Sequence, residues 1–255
     1  MARLPFPNAV PYGAVRASAS QESGAEKEYR VIFEAFRRFI LHYENSAERL
    51  DIMEDIITLR ASFLIDKALT GLRIDLDRAL EILRNHNDFT TERERLQRDI
   101  LIAAIDNLVD FAAAEEYAMF KDMPETVDER DMEAYGEICQ RYNFIYAERE
   151  NSQVLFAASM AAWWLTVDTD TVLTYMTQAD ERVRAWHLSL EGLSYRKSEF
   201  PPELIPPIEW GCRCFLVADG FAAVRAALPV PENYRKRIDP VFRESLATGG
   251  RIFSR

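Results

Sequence analysis

The chain has 255 residues, 48% of them hydrophobic and 29% charged, with three cysteines and a formal net charge of -11. That length and apolar content suffice for one or two buried cores, and no apolar run reaches the ~18–20 residues that cross a bilayer, so no membrane partner is expected. Residues 1–165 carry 19 basic and 30 acidic side chains while residues 166–255 carry 12 of each, which argues against passive DNA binding along the first two-thirds.

In chain order, residues 1–25 read as a flexible N-terminal arm. Pro5, Pro7 and Pro11 interrupt it, and it has no continuous apolar stretch of the kind that secretory signals carry. From about residue 26, Tyr29, Ile32, Phe33, Phe36, Phe39, Ile40 and Tyr43 recur at period 3.6 and predict an amphipathic helix. A second helix fits 47–70 with apolar residues on two faces, and Gly71 is placed to end it. A shorter one over 75–84 presents Leu76, Leu80 and Leu83. Thr91 and Glu94 match a capping box ahead of a helix over 92–119 that buries Leu96, Ile100, Ala104, Leu108 and Phe111. Thr126 to Glu129 repeats that signal. One long helix, or two with a break near Asn151, then runs to Trp163 and Trp164.

After Leu165 the texture changes. Residues 166–174 and 214–217 read as short strands, and the four prolines within 200–207 demand a loop. The expected class is α+β: a mainly α-helical domain over 26–165, followed by a small loop-rich α+β module over 166–255. Within that module, residues 225–255 hold seven basic and three acidic side chains, a weak positive tail whose potential anionic partner is DNA.

The residues with the strongest chemical character lie in the module. Asp180-Glu181-Arg182-Val183-Arg184-Ala185-Trp186-His187 precedes Gly192, and Pro206-Pro207-Ile208-Glu209-Trp210-Gly211-Cys212-Arg213-Cys214 follows. His187, Cys212 and Cys214 are residue types that bind zinc. A closed site needs a fourth ligand, for which Asp180, Glu181, Glu209 or water are the candidates. The alternative is a metal-free knot, with the thiols packed, His187 donating to a carboxylate or carbonyl, and Arg213 paired with Asp180 or Glu181. Asp180 and Glu181 are placed at the start of a helix, where carboxylates suit the dipole, and as neighbours they point too far apart to form a catalytic pair. Trp163, Trp164, Trp186 and Trp210 read as core anchors. His42 and His86 lack the Glu three residues earlier that a di-iron bundle uses, and no nucleotide-binding or hydrolase motif is present. No catalytic residue is assigned.

The stretch from Thr174 to Gly192, the Pro-Pro-x-x-Trp-Gly-Cys-Arg-Cys run, and the later Asp239-Pro240-Val241-Phe242-Arg243 and Gly249-Gly250-Arg251-Ile252-Phe253 together resemble the phage Mu F-like minor head (head morphogenesis) protein family. The resemblance covers roughly the last 90 residues. It implies a non-enzymatic virion protein of low copy number, made in the host cytoplasm. Such a protein associates with the portal or major capsid protein during head assembly, genome packaging or delivery. It also implies structural roles for Asp180, Glu181, Arg182, Arg184, Gly192, Trp210 and Arg213. Some members have Cys-x-x-Cys and His-x-x-Cys-x-Cys at the zinc-like positions. Here Arg184 stands at the first Cys, His187 at the second, and Glu209 at the His. The alternatives are a toxin or effector carrying the same module, and a helical adaptor unrelated to phage.

Overall fold

The computed structural model describes residues 23–85, 91–218 and 233–254. Most of the predicted arm, His86, and the first part of the basic tail lie outside the described residues. Among those described there are eight α-helices and one three-stranded sheet, and no helix is long and apolar enough to cross a membrane.

Helix α1 (Gly24–Leu41) starts at a capping box. The Glu26 amide donates to Ser23 Oγ at 3.1 Å and the Ser23 amide to Glu26 Oε2 at 2.6 Å. Its predicted stripe is the buried face: Ile32, Phe36, Phe39 and Ile40 are buried, with Tyr29, Phe33 and Tyr43 beside them. Helix α2 (Ser46–Leu72) packs against α1 and against two later helices, α4 (Glu92–Lys121) and α6 (Ala147–Trp164). Contact on three sides accounts for its two apolar faces.

Gly71 does not end α2. The helix runs to Leu72 and is capped by Arg73 in the left-handed region. A Cβ at Gly71 would sit 2.6 Å from both Ala158 Cβ and the Leu155 carbonyl, so this glycine serves the close approach of α2 to α6. Helix α3 (Leu76–Arg84) turns Ala79 and Ile82 inward, while Leu76 and Leu80, expected on the buried side, are exposed. Both rows are apolar, and the packing against α4 decides between them. The Thr91–Glu94 capping box on α4 is present. Ile100, Ala104 and Leu108 are buried as expected, but Leu96, one turn into the helix, is exposed.

At the second predicted cap signal the helical chain begins behind Asp128. Asp128, itself a strong capping residue, accepts from the Arg130 amide at 3.0 Å and opens a 3-10 turn that leads into α5 (Met132–Gln140). Of the two readings, one long helix is the nearer: α5 passes through a π-helical turn over Arg141–Tyr146 straight into α6, with no break at Asn151. This turn places Asn143 in the interior, where its amide donates to Glu116 at 3.1 Å. Asn151 is a regular, buried residue of α6.

Two apolar clusters fill the helical part, with a polar layer between them. One joins α1, the first half of α2, the end of α4 and α5. The other begins at Ala61 and includes Leu64, Leu108 and Ala161. Between them Arg60, only 1% exposed, pairs with Glu150, with Glu115 at 3.3 Å and with Asn151 at 2.9 Å. Asn151 in turn donates to Glu28 at 2.7 Å, and Glu28 meets Lys67. One guanidinium thus ties α2, α4 and α6 together, and its amide partner extends the network to α1.

The change of texture at Leu165 coincides with the end of α6. The sheet that follows has the order β2 (Ser194–Arg196), β1 (Val172–Met176), β3 (Phe215–Ala218), with both pairings antiparallel. The first strand starts six residues later than the predicted stretch, because residues 166–171 turn before the chain extends. Strand β2 was not expected; three residues are too few for a periodicity signal. The second apolar cluster continues across this boundary, since Ala161 and Trp164 share it with Leu173, Leu216, Phe242 and Phe253. All four tryptophans belong to or pack against it.

Candidate metal centre

The centre is assembled from four segments. Strand β1 runs between β2 and β3, and its alternation turns Leu173 and Tyr175 inward, both at 0% exposure. The Tyr175 backbone is fixed by its amide to Leu193 O and by the Gly192 amide to its own carbonyl, both 2.8 Å. Gly192 reaches that carbonyl with φ +88, a conformation that suits glycine. Between β1 and Gly192 lies α7 (Ala185–Leu188), a single turn that buries His187. Last comes the Cys212–Cys214 segment, leading directly into β3.

Asp180 and Glu181 do not start a helix. Residues 177–184 are a turn, and α7 begins after them. Asp180 is used differently. Its two carboxylate oxygens accept from Arg213 at 2.6 and 2.7 Å, across 33 residues, as one of the two expected pairings. The Arg213 hydrogen bond holds the Asp180 carboxyl below its ordinary range. Glu181 and Arg182 are exposed. Arg184 crosses to the other segment as well, donating to Trp210 O at 2.7 Å and meeting Glu209 Oε1 at 3.2 Å. Arg184 and Glu209 thus form an ion pair between the two segments.

His187 is gripped on both edges. Its Nε2 lies 2.9 Å from Glu209 Oε2, which also accepts from the Trp186 indole at 3.1 Å. Its Nδ1 faces the sulfurs, 3.2 Å from Cys214 Sγ and 3.9 Å from Cys212 Sγ. Burial opposes charge on Cys212, but hydrogen bonds from Cys214 and His187 together with the His187 charge outweigh it and pull Cys212 well down. The same Cys212 hydrogen bond, with burial, pushes Cys214 up. His187, Cys212 and Cys214 each offer one ligand atom, all within 4.8 Å of one another. Tetrahedral zinc places imidazole nitrogen and thiolate sulfur about 3.6 Å apart and two sulfurs about 3.8 Å apart. The observed nitrogen–sulfur distances bracket the first value. This cluster can coordinate a metal ion.

Of the fourth ligands considered from the sequence, Glu209 sits on the far edge of the imidazole from the sulfurs and Asp180 is engaged by Arg213. Neither joins the cluster, and Glu181 is exposed. Glu209 has the place of the outer carboxylate that orients a ligating histidine. Two features escaped sequence reasoning: that orienting role, and the burial of Tyr175 beside the thiols. Strand alternation through Leu173 and Tyr175 was the signal available for the second.

No family model matches the chain, and no solved structure matches it. A 40-residue stretch is 52% identical to an uncharacterized protein of Methanocaldococcus jannaschii. That stretch is 16% of this chain and spans 6% of the archaeal protein's length, so it shows no shared family.

Proposed function

We propose that the chain is a structural, non-enzymatic component of a phage head, a minor capsid protein that associates with portal or major capsid protein during assembly. The observation that carries this reading is where the signature residues point. Asp180 binds Arg213, Arg184 binds Trp210 O and Glu209, and His187 binds Glu209 and Cys214. Segments 22 to 33 residues apart are thereby tied to each other and not turned toward an open cleft. His187, Cys212 and Cys214 are each no more than 2% exposed. A catalytic centre needs access for its substrate, and a lock does not. The order and spacing of the signature, as in the Mu F-like head proteins, give this lock its proposed setting. In the described part of the basic tail, Arg235 pairs with Glu203 at 2.7 Å.

The test is co-expression with the portal and major capsid proteins of the same virus, followed by sedimentation. The chain is expected to sediment with assembled heads and to be lost from them when portal is omitted. A chain that stays in the unassembled fraction under both conditions contradicts the proposal.

A further inference from the structure

His187, Cys212 and Cys214 supply three corners of a tetrahedron, and the carboxylates that might complete it are turned elsewhere. One buried polar atom remains on the sulfur side. The Tyr175 hydroxyl is fully buried and has no hydrogen-bond partner of regular geometry. Tyr175 stands opposite Leu216 in the sheet, and Leu216 is two residues from Cys214 on the same buried side. An orphaned buried hydroxyl keeps an uncompensated desolvation cost unless something else uses its oxygen. The backbone around it is not loose. Tyr175 pairs with Leu216 in the central strand, and the Leu193 and Gly192 hydrogen bonds clamp it on the other side. The sheet thus sets Tyr175 on the same buried face as Cys214, diagonally across the register.

We infer that Tyr175 is the fourth donor of a closed metal site formed with His187, Cys212 and Cys214. Two thiolates, one imidazole nitrogen and one phenolate oxygen suit a borderline dication of tetrahedral preference, zinc above all. On binding, the metal replaces the phenol proton and the protons of the cysteine–histidine set, all of which leave to water; nothing is oxidised or reduced. The resulting site carries one net negative charge. The Arg213 guanidinium, whose charge already acts on Cys214, offsets it, and Glu209 holds the outer imidazole nitrogen. A site closed by four protein donors has no open position for substrate, so its role is to fix β1, α7 and the Cys212–Cys214 segment together. The inference stands apart from the virion assignment and does not require it.

The experiment is a titration of the metal-stripped full-length chain with Zn2+ alone, followed by ultraviolet difference absorption, and a parallel titration with Co2+. One equivalent of zinc is expected to bind with the appearance of a tyrosinate band. Cobalt is expected to give the intense visible bands of a tetrahedral thiolate site. Tyr175→Phe, shown to be folded by circular dichroism, is expected to lose the tyrosinate band and to bind zinc at least about tenfold more weakly. The wild-type difference spectrum needs no variant, so a misfolded Tyr175→Phe leaves the test intact. Stoichiometric zinc binding without a tyrosinate band, equal affinity in Tyr175→Phe, or no stoichiometric binding by the wild type would each overturn the inference.

Discussion

Asn107 and Phe253, 146 residues apart, exchange hydrogen bonds as two neighbouring strand residues would. Asn107 Nδ2 donates to Phe253 O at 2.8 Å, and the Phe253 amide donates to Asn107 Oδ1 at 2.9 Å. The Ile252 amide joins the same oxygen at 2.8 Å. One buried side chain on α4 thus satisfies three main-chain groups of the closing segment. The Phe253 ring is held between Phe111 of α4, at 4.2 Å between ring centres, and Trp210 of the signature, at 5.3 Å. The helical part and the module meet through this residue.

Replacing Asn107 by Ala strands two buried amides and a carbonyl, so a loss of about 2–4 kcal/mol is expected. Urea unfolding gives the magnitude. Hydrogen exchange is expected to show the amides of Ile252 and Phe253 opening first, while the α1 amides stay protected. Unchanged exchange at those two amides would mean that the clasp is not what holds the segment.

Gly71→Ala places a methyl 2.6 Å from the α6 backbone and is expected to destabilise by about 1–3 kcal/mol, despite the better helix propensity of alanine. Gly136→Ala is the control. Its nearest neighbour is the Phe33 ring edge at 3.4 Å, and there alanine is expected to be neutral or stabilising. Thermal melts of the two variants check the contrast.

Burial pushes the Glu116 carboxyl from the ordinary 4.5 to about 7, with the Asn143 hydrogen bond and Arg60 opposing the shift. An acid whose folded pKa is raised keeps its proton longer in the folded chain than in the unfolded one. Its contribution is fully present below pH ~4.5 and is lost as pH rises through about 7. Glu115, raised by burial and by Glu150, acts in the same direction. Stability is therefore expected to fall from pH 5 to pH 8, by up to roughly 3 kcal/mol from Glu116. Glu116→Gln is expected to flatten most of that slope and to be more stable than the wild type at pH 8. Denaturant midpoints across the range measure it.

Arg60→Met removes the one guanidinium from among Glu115, Glu150 and Asn151. Leaving buried carboxylates unpaired is expected to cost about 3–5 kcal/mol at pH 8. The cost is expected to shrink at pH 5, because burial raises the Glu115 carboxyl and favours its neutral form there. A pH-independent loss would point to lost packing by the arginine stem instead.

The helical texture of residues 26–165 was legible because period-3.6 stripes and the Thr91–Glu94 box are local signals. What escaped reading was set by neighbours distant in sequence. Gly71 looks like a terminator until α6 is placed against it, and Ala79 wins over Leu80 through contact with α4. The irregularity at 141–146 serves Asn143 and its bond to Glu116 on another helix. In the module, residue type alone marked His187, Cys212 and Cys214, and opposite charge marked Asp180 and Arg213. The Asn107 clasp gave no comparable signal, and alternation along β1 marked Tyr175 only as buried, since each acquires its meaning from chain far away.

The most direct test of the proposed role is quantitative mass spectrometry of density-purified phage particles from the source of this chain, with portal and major capsid protein as internal standards. A small, fixed ratio of this chain to portal is the expected result. Its absence from both immature and mature heads would contradict the account.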